Sequence, residues 1–122
     1  MLLKDFYSVQ DSKKEGDTYI TRIKIDKHHK VYKGHFPGRP VTPGVILMHL
    51  FREELERHTA SVLKLERATN VKFMAVVDPN QDEYLTLESE IEEFDGFVKL
   101  KGTAKQKDKT SLKINALYRK AE

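Results

Sequence analysis

Four stretches of the chain alternate apolar and polar residues with the period of two that a half-buried β-strand requires. The first is Thr18–Ile25, and the others are Glu83–Glu92, Phe97–Ala104 and Ser111–Tyr118. Turn sequences separate the last three, namely Phe94-Asp95-Gly96 and Lys107-Asp108-Lys109. The pattern therefore predicts an antiparallel sheet. Its inward-facing residues are predicted to be Tyr19, Thr21, Ile23, Ile25, Leu85, Leu87, Ser89, Ile91, Val98, Leu100, Gly102, Ala104, Leu112, Ile114, Ala116 and Tyr118.

The remaining parts of the chain carry weaker signals. We predict a helical turn over Leu2–Tyr7, a turn over Asp11–Asp17 with Gly16 at its tip, a helical or irregular piece over Ala60–Arg67 and a strand over Asn70–Val77. Each of these predictions rests on local composition rather than on a sustained period.

A helix is predicted to begin at Gly44 and to end near His58. Pro43 stands just before it, where a missing N–H costs little. The first turn is apolar on every side, and residues after Arg52 are mostly charged, so the helix should start inside the protein and emerge into water. One helix and an antiparallel sheet form an α+β fold. We expect a single domain over residues 1–122, and we expect it to dimerise because one helix cannot cover the whole sheet.

The segment before this helix is dense in proline and glycine. Three of the four prolines and three of the six glycines fall between Gly34 and Gly44. Because proline fixes φ and glycine permits φ > 0, this density indicates a rigid loop rather than a linker. A histidine, His35, stands at its start. A titratable side chain on a rigid loop beside a helix N-terminus is a common way to build a reaction site; a purely structural loop is the alternative.

Composition narrows the classes of function. The net charge is +3 and cysteine is absent, which removes disulfides, thiolate catalysis and cysteine zinc sites. No apolar run is long enough for a membrane span, and we expect a cytoplasmic protein. The only lysine cluster, Lys99 to Lys113, lacks a recognition helix or free aromatic residues, so we predict no nucleic acid partner. The same positive charge would attract an acidic protein partner.

Metal binding is a rival function because the chain has five histidines. Their spacing matches no standard zinc pattern, and the pair His28-His29 lies in a polar connection. The sequence therefore predicts no metal site.

The segment from His35 to Val45, His-Phe-Pro-Gly-Arg-Pro-Val-Thr-Pro-Gly-Val, closely resembles the signature of the FabZ/FabA-type 3-hydroxyacyl-acyl-carrier-protein dehydratases. The resemblance is specific over Gly34–Leu47 and weaker over the rest of the chain. It implies a hot-dog fold, an antiparallel sheet wrapped around one long central helix. It further implies a dimer and an acyl carrier protein as partner. The substrate would be carried on phosphopantetheine, with no separate cofactor.

The resemblance also implies roles for individual residues. His35 matches the catalytic histidine, Val41 the residue whose carbonyl orients that imidazole, and Gly44 the glycine whose N–H receives the thioester oxygen. Pro43 and Val45 flank Gly44 and would contact the substrate. A neutral histidine suits the removal of a weakly acidic proton from carbon 2, and a helix N-terminus stabilises the resulting enolate-like oxygen.

The chain departs from the family where an acid should protonate the leaving hydroxyl. The family places a glutamate or aspartate fourteen residues after the histidine, and here that position is His49. Three interpretations stay open. His35 and His49 of opposite subunits could form the site, with Glu53 stabilising a charged His49. A second hot-dog subunit could supply the acid in a composite enzyme. Finally, the protein could bind or cleave acyl thioesters without dehydration.

Overall fold

The computed structural model describes residues 5–32 and 42–121. These ranges contain a short 3-10 helix, Lys30–Tyr32, one α-helix and six β-strands. They are β1 (Tyr7–Glu15), β2 (Thr18–Ile25), α1 (Gly44–Thr59), β3 (Leu63–Phe73), β4 (Tyr84–Phe94), β5 (Phe97–Gln106) and β6 (Lys109–Lys120).

The strands form one antiparallel sheet in the order β1-β2-β4-β5-β6-β3. Helix α1 buries Leu50, Phe51 and Leu55 in the same core as the inner faces of β2, β4, β5 and β6. This is the α+β arrangement of a hot-dog fold, and the prediction of fold class is confirmed. No helix in the described ranges is long and apolar enough to cross a membrane.

Alternation along the strands decides which residues enter this core. Thr21, Ile23 and Ile25 of β2 are buried, as are the predicted inward residues of β5 and β6. Gly102 is required where α1 crosses β5, because a Cβ at this position would lie 2.8 Å from Cε1 of Phe51. The predicted strands over β2, β4, β5 and β6 are thus confirmed, together with the helix from Gly44 to the neighbourhood of His58.

The N-terminal predictions were wrong over residues 7–15, whereas residues 2–4 of the predicted helical turn lie outside the described residues. Tyr7, assigned to a helical turn, begins β1, and residues 11–15, assigned to a turn, continue that strand. Only Gly16 and Asp17 form the turn. Most of β1 is exposed on both faces because it is an edge strand, so its sequence lacks alternation and its backbone pairing with β2 defines it.

The prediction for residues 60–77 was only partly right, because a strand does include residues 70–73 but begins and ends earlier than predicted. Strand β3 begins at Leu63, inside the piece assigned as helical or irregular, and ends at Phe73. Register shifts between Leu65 and Arg67 and between Ala68 and Asn70 interrupt its period of two. Val77 belongs to no strand and instead forms an isolated bridge with Thr42.

Helix α1 differs from its predicted burial at both ends. Val45 in the first turn is 57% exposed in the single chain, whereas Glu54, expected in water, is 1% exposed. Glu54 is buried because the polar second half of α1 packs against β1 and β2, whose side chains provide hydrogen-bond partners for it.

Candidate active site

The predicted site residues that the structure describes lie at the start of α1. Pro43 precedes the helix in an extended conformation, with φ −61° and ψ 146°, and Gly44 is its first residue. Val45 is exposed, and His49 lies partly buried little more than one turn further along. His35 and Val41 fall outside the described residues. The roles predicted for all of these residues remain predictions.

The N-terminus of α1 has backbone N–H groups that can bind a ligand. Pro43 supplies no side-chain cap, and its carbonyl accepts from the amides of Ile46, at 3.0 Å, and Leu47, at 3.4 Å. The amides before Ile46 have no partner within the helix, and they carry the positive end of its dipole. This end of α1 can therefore stabilise a negatively charged or strongly polarised oxygen.

Gly44 is needed at this point because an aromatic ring approaches it closely. A Cβ on residue 44 would lie 2.6 Å from Cζ and 2.9 Å from Cδ1 of Phe73, the last residue of β3. The ring of Phe73 thus forms one side of the surface around the helix N-terminus.

Exposed apolar side chains surround the same end of α1. Val45, Phe73, Met74 and Val76 are each more than half exposed in the single chain. We call these four residues the apolar rim. A contiguous exposed set of this kind is typical of a surface that another molecule covers.

Glu53, proposed from the sequence as a partner for His49, has a different partner. The hydroxyl of Tyr7 on β1 donates a hydrogen bond of 2.6 Å to Oε1 of Glu53, and Arg57 donates to the same hydroxyl at 2.6 Å. Burial and the hydrogen bond to Glu53 together raise the pKa of Tyr7 to about 12, while Arg57 opposes that rise. Glu53 therefore stabilises the contact between α1 and β1 through Oε1, and in the described residues no hydrogen bond or ion pair joins it to His49, so its role toward His49 stays a prediction.

Two hydroxyl-bearing residues, Tyr32 and Thr42, lie on either side of segment 33–41, which the structure does not describe. The sequence analysis did not single them out. The phenol of Tyr32 and the hydroxyl of Thr42 are 2.8 Å apart, and both residues are buried. Burial raises the pKa of Tyr32 to about 12, while the hydrogen bond to Thr42 opposes that rise. The only sequence signal was a hydroxyl residue on either side of the proline- and glycine-rich loop.

A buried carboxylate organises the other half of α1. Glu54 accepts hydrogen bonds from Thr21 and from Arg57 at 2.9 Å, and His58 Nε2 lies 3.0 Å from Oε2 of Glu54. Burial alone would lower the pKa of Arg57, but its hydrogen bonds to Tyr7 and Glu54 outweigh burial and raise it. We call Glu54 and these partners the Glu54 network. It lies toward the opposite end of the helix from Gly44, and we interpret it as structural.

Comparison with known proteins identifies the family. The family model for ApeI-like proteins, described as ApeI dehydratase, matches residues 11–113. The chain belongs to the ApeI-like dehydratase family. The FabZ 3-hydroxyacyl-(acyl-carrier-protein) dehydratase of Lactobacillus helveticus (strain DPC 4571) is 26% identical to it over 113 residues, which cover 87% of this chain and 76% of that protein. The recognition of a FabZ/FabA-type dehydratase relationship is thus confirmed.

Solved structures support the fold of this ApeI-like chain. A chain of the dehydratase heterocomplex ApeI:P from Xenorhabdus doucetiae superposes with a TM-score of 0.73 at 17% identity, covering 93% of this chain and 97% of its own. The F36A mutant of the fluoroacetyl-CoA-specific thioesterase FlK superposes with a TM-score of 0.68 at 13% identity, with coverages of 90% and 89%. At these identities the superpositions establish the fold alone.

Proposed function

We propose that this ApeI-like protein dehydrates 3-hydroxyacyl thioesters carried on an acyl carrier protein and forms trans-2-enoyl thioesters. The observation that carries the proposal is the uncapped N-terminus of α1 at Gly44, placed beside the apolar rim. Such a site combines an oxyanion-binding end with a surface for an acyl chain, and both are needed for chemistry next to a thioester carbonyl.

In the proposed reaction, His35 removes a proton from carbon 2 of the substrate. The thioester oxygen gains negative charge, which the N–H of Gly44 and the helix dipole stabilise. The electron pair then forms the double bond between carbons 2 and 3. The hydroxyl group leaves carbon 3 with a proton from an acid, and water is released.

The acid is proposed to be His49 in its protonated form. Dehydration needs one neutral imidazole as the base and one protonated imidazole as the acid, and two histidines in one site can supply both. One subunit would supply His35 and the other His49. In the alternative arrangement, a different hot-dog subunit supplies a carboxylic acid, and the heterocomplex formed by the ApeI:P neighbour supports keeping this alternative.

Dimerisation is part of the proposal, and we assign it to β3. This strand is an edge of the sheet, and most of its side chains are exposed. They include Leu65, which is 47% exposed although its partner in β6, Tyr118, is buried. An exposed edge with apolar side chains favours pairing with another strand. The occupant is a second copy of this chain or a related hot-dog subunit, and dimers of this kind could assemble further.

An acyl carrier protein is proposed as the substrate-bearing partner because cations collect on the outer face of β3 and β6. Lys72 pairs with Lys113, and Lys64 pairs with Arg119, so the side chains in each pair share a face. The lysines noticed in the sequence are partly neutralised, since Lys105 pairs with Glu88 at 3.1 Å. The cations of β3 therefore extend the basic surface that would attract an acidic protein. A cytoplasmic location belongs to the same proposal.

The decisive experiment is turnover of a 3-hydroxyacyl-acyl carrier protein by the purified chain alone, followed by mass detection of the enoyl product. We expect His35→Ala to abolish turnover and His49→Ala to lower kcat by roughly a hundredfold or more, the scale of losing a general acid. An unchanged rate in His49→Ala would show that His49 is not the acid. A silent wild-type chain that His49→Glu activates would support the composite enzyme.

A thioesterase activity is the second candidate. It is favoured by the absence of the family's usual carboxylic acid at His49 and by the fold shared with the FlK thioesterase. The same assay separates the two candidates, because thioester cleavage releases free thiol and dehydration does not. Binding of an acyl thioester with neither product would indicate a non-catalytic role.

A further inference from the structure

The buried hydrogen bond between Tyr32 and Thr42 joins the residues that immediately flank segment 33–41. The two hydroxyl oxygens are 2.8 Å apart, and Tyr32 and Thr42 are 7% and 5% exposed. His35 is three residues after Tyr32, and Gly44 is two residues after Thr42. One side-chain contact thus links the chain just before His35 to the chain just before α1.

Each member of the pair is also fixed to the rest of the fold. The ring of Tyr32 packs against Phe6, with ring centroids 5.8 Å apart, and Phe6 is fully buried. The backbone N–H of Thr42 donates to the carbonyl of Val77 at 2.9 Å. Both flanks therefore stay attached to the core without the hydroxyl pair, so its loss should leave the chain folded, but neither of these contacts joins one flank to the other.

The hydroxyl pair should affect the relative position of the two flanks more than the stability of the fold. Two buried hydroxyls that satisfy each other can be replaced together by apolar groups of the same shape at little cost in stability. Their hydrogen bond nevertheless holds the flanks at one separation and orientation, which a pair of apolar groups does not specify. In a reaction that depends on the placement of a base relative to an oxyanion site, such an orientation affects the rate.

We propose that Tyr32 and Thr42 are positioning residues, whose mutual hydrogen bond holds the two flanks of segment 33–41 together and thereby supports the role proposed for His35. Neither hydroxyl is assigned contact with the substrate. The inference rests on the proposed dehydratase function, and it adds two residues that the family signature did not assign in the sequence.

The test compares Tyr32→Phe, Thr42→Val, the double variant and Thr42→Ser in the dehydration assay. We expect each hydroxyl deletion to lower kcat by about tenfold to a hundredfold, with the upper figure being the scale for a misplacement of about 1 Å. KM should change little, because substrate binding is not removed. The double variant should be no slower than the slower single variant, because both deletions remove one interaction. Thr42→Ser retains the hydroxyl and should keep most of the wild-type rate.

Two controls keep the result interpretable. Tyr84→Phe deletes a tyrosine hydroxyl outside the pair, on a residue whose ring contacts Arg22, and it should leave kcat unchanged. Trypsin cleavage after Lys33 provides a readout that needs no catalysis, and it should accelerate in Tyr32→Phe and Thr42→Val but not in Thr42→Ser.

The outcomes separate this inference from the function on which it rests. Failure of both the wild-type chain and His49→Glu to dehydrate any 3-hydroxyacyl thioester would overturn both. Normal kcat in Tyr32→Phe and Thr42→Val with an active wild type would overturn only the inference. Losses that add in the double variant, or that Thr42→Ser fails to restore, would also overturn it. If Thr42→Val does not fold, Tyr32→Phe against Tyr84→Phe still decides the question.

Discussion

The ring of Phe73 lies against Gly44 so closely that no side chain fits between them, because a Cβ on Gly44 would come within 2.6 Å of Phe73 Cζ. This contact joins the end of β3 to the start of α1. It therefore connects the strand that we assign to subunit pairing with the helix N-terminus that we assign to oxyanion binding.

Gly44→Ala should destabilise the protein through Phe73. Alanine is the better helix former by about 1 kcal/mol in a helix interior, but its Cβ at this first helical position would have to displace the Phe73 ring, and overpacking costs about 1–3 kcal/mol, so we expect a small net loss in the free energy of unfolding. Urea denaturation measures this loss. In a Phe73→Ala background the same substitution should become neutral or stabilising. Equal effects in both backgrounds would contradict the contact.

Leu65→Lys should convert the proposed dimer into monomers. Leu65 is 47% exposed in the single chain, and burying a lysine at that position against a second subunit would be costly. Light scattering after size exclusion measures the mass. Lys64→Gln, one residue earlier on the same strand, serves as the control and should remain dimeric. A monomeric Leu65→Lys with full dehydratase turnover would exclude a site shared between two subunits.

Glu54→Ala should be among the most damaging substitutions in the second half of α1. It leaves the buried Thr21 hydroxyl without this acceptor and removes one partner of Arg57, whose side chain is 36% exposed and keeps its hydrogen bond to Tyr7, so we expect a loss of about 1–3 kcal/mol. Glu66→Gln is the matched control, since Glu66 pairs with Arg119 at 3.8 Å near the surface and should contribute less than about 1 kcal/mol. Similar costs for the two variants, measured in urea, would contradict the buried role of Glu54.

Tyr118 should make the protein less stable at high pH. Burial raises its pKa to about 12 in the folded chain, and nearby Arg52 opposes the rise. Between the unfolded value of about 10 and the folded value, the folded state holds the proton more tightly. The contribution of Tyr118 to the free energy of unfolding is complete below pH 10 and is lost as the pH rises through 12. The free energy of unfolding falls there by at most about 1.4 kcal/mol per pH unit. Tyr118→Phe should show a correspondingly flatter decline, and an identical decline in urea titrations at pH 9 to 12 would refute the assignment.

Sequence reasoning was most successful where burial is one-sided. Ile23 and Ile25 of β2 and Leu85 and Leu87 of β4 alternate with polar residues because one face of these strands meets α1. The start of α1 was predictable for a different reason, since Pro43 and Gly44 restrict the backbone locally. Both signals are carried by short spans of sequence and need no knowledge of distant contacts.

The features that the sequence did not reveal depend on contacts between distant parts of the chain. β1 is polar on both faces and exists through its pairing with β2, and two register shifts hide the alternation of β3. Glu54 looked like a solvent-facing residue because its partner Thr21, on β2, becomes a neighbour only after folding. In the candidate site, the loop and Gly44 stood out in the sequence, whereas the Phe73 contact and the Tyr32–Thr42 pair depend on tertiary structure.

The two margins of the sheet have unequal chemistry. β3 exposes Leu65 and Phe73 among its charged residues, whereas β1 exposes one large apolar side chain, Val9, and ends in Asp-Ser-Lys-Lys-Glu. Charged edge strands resist the addition of another strand. If only one edge strand of the sheet accepts another strand, assembly through strand edges stops once the accepting strands of two subunits have paired. The fold thus favours a closed assembly over a β-fibre, and larger complexes would have to use surfaces other than strand edges.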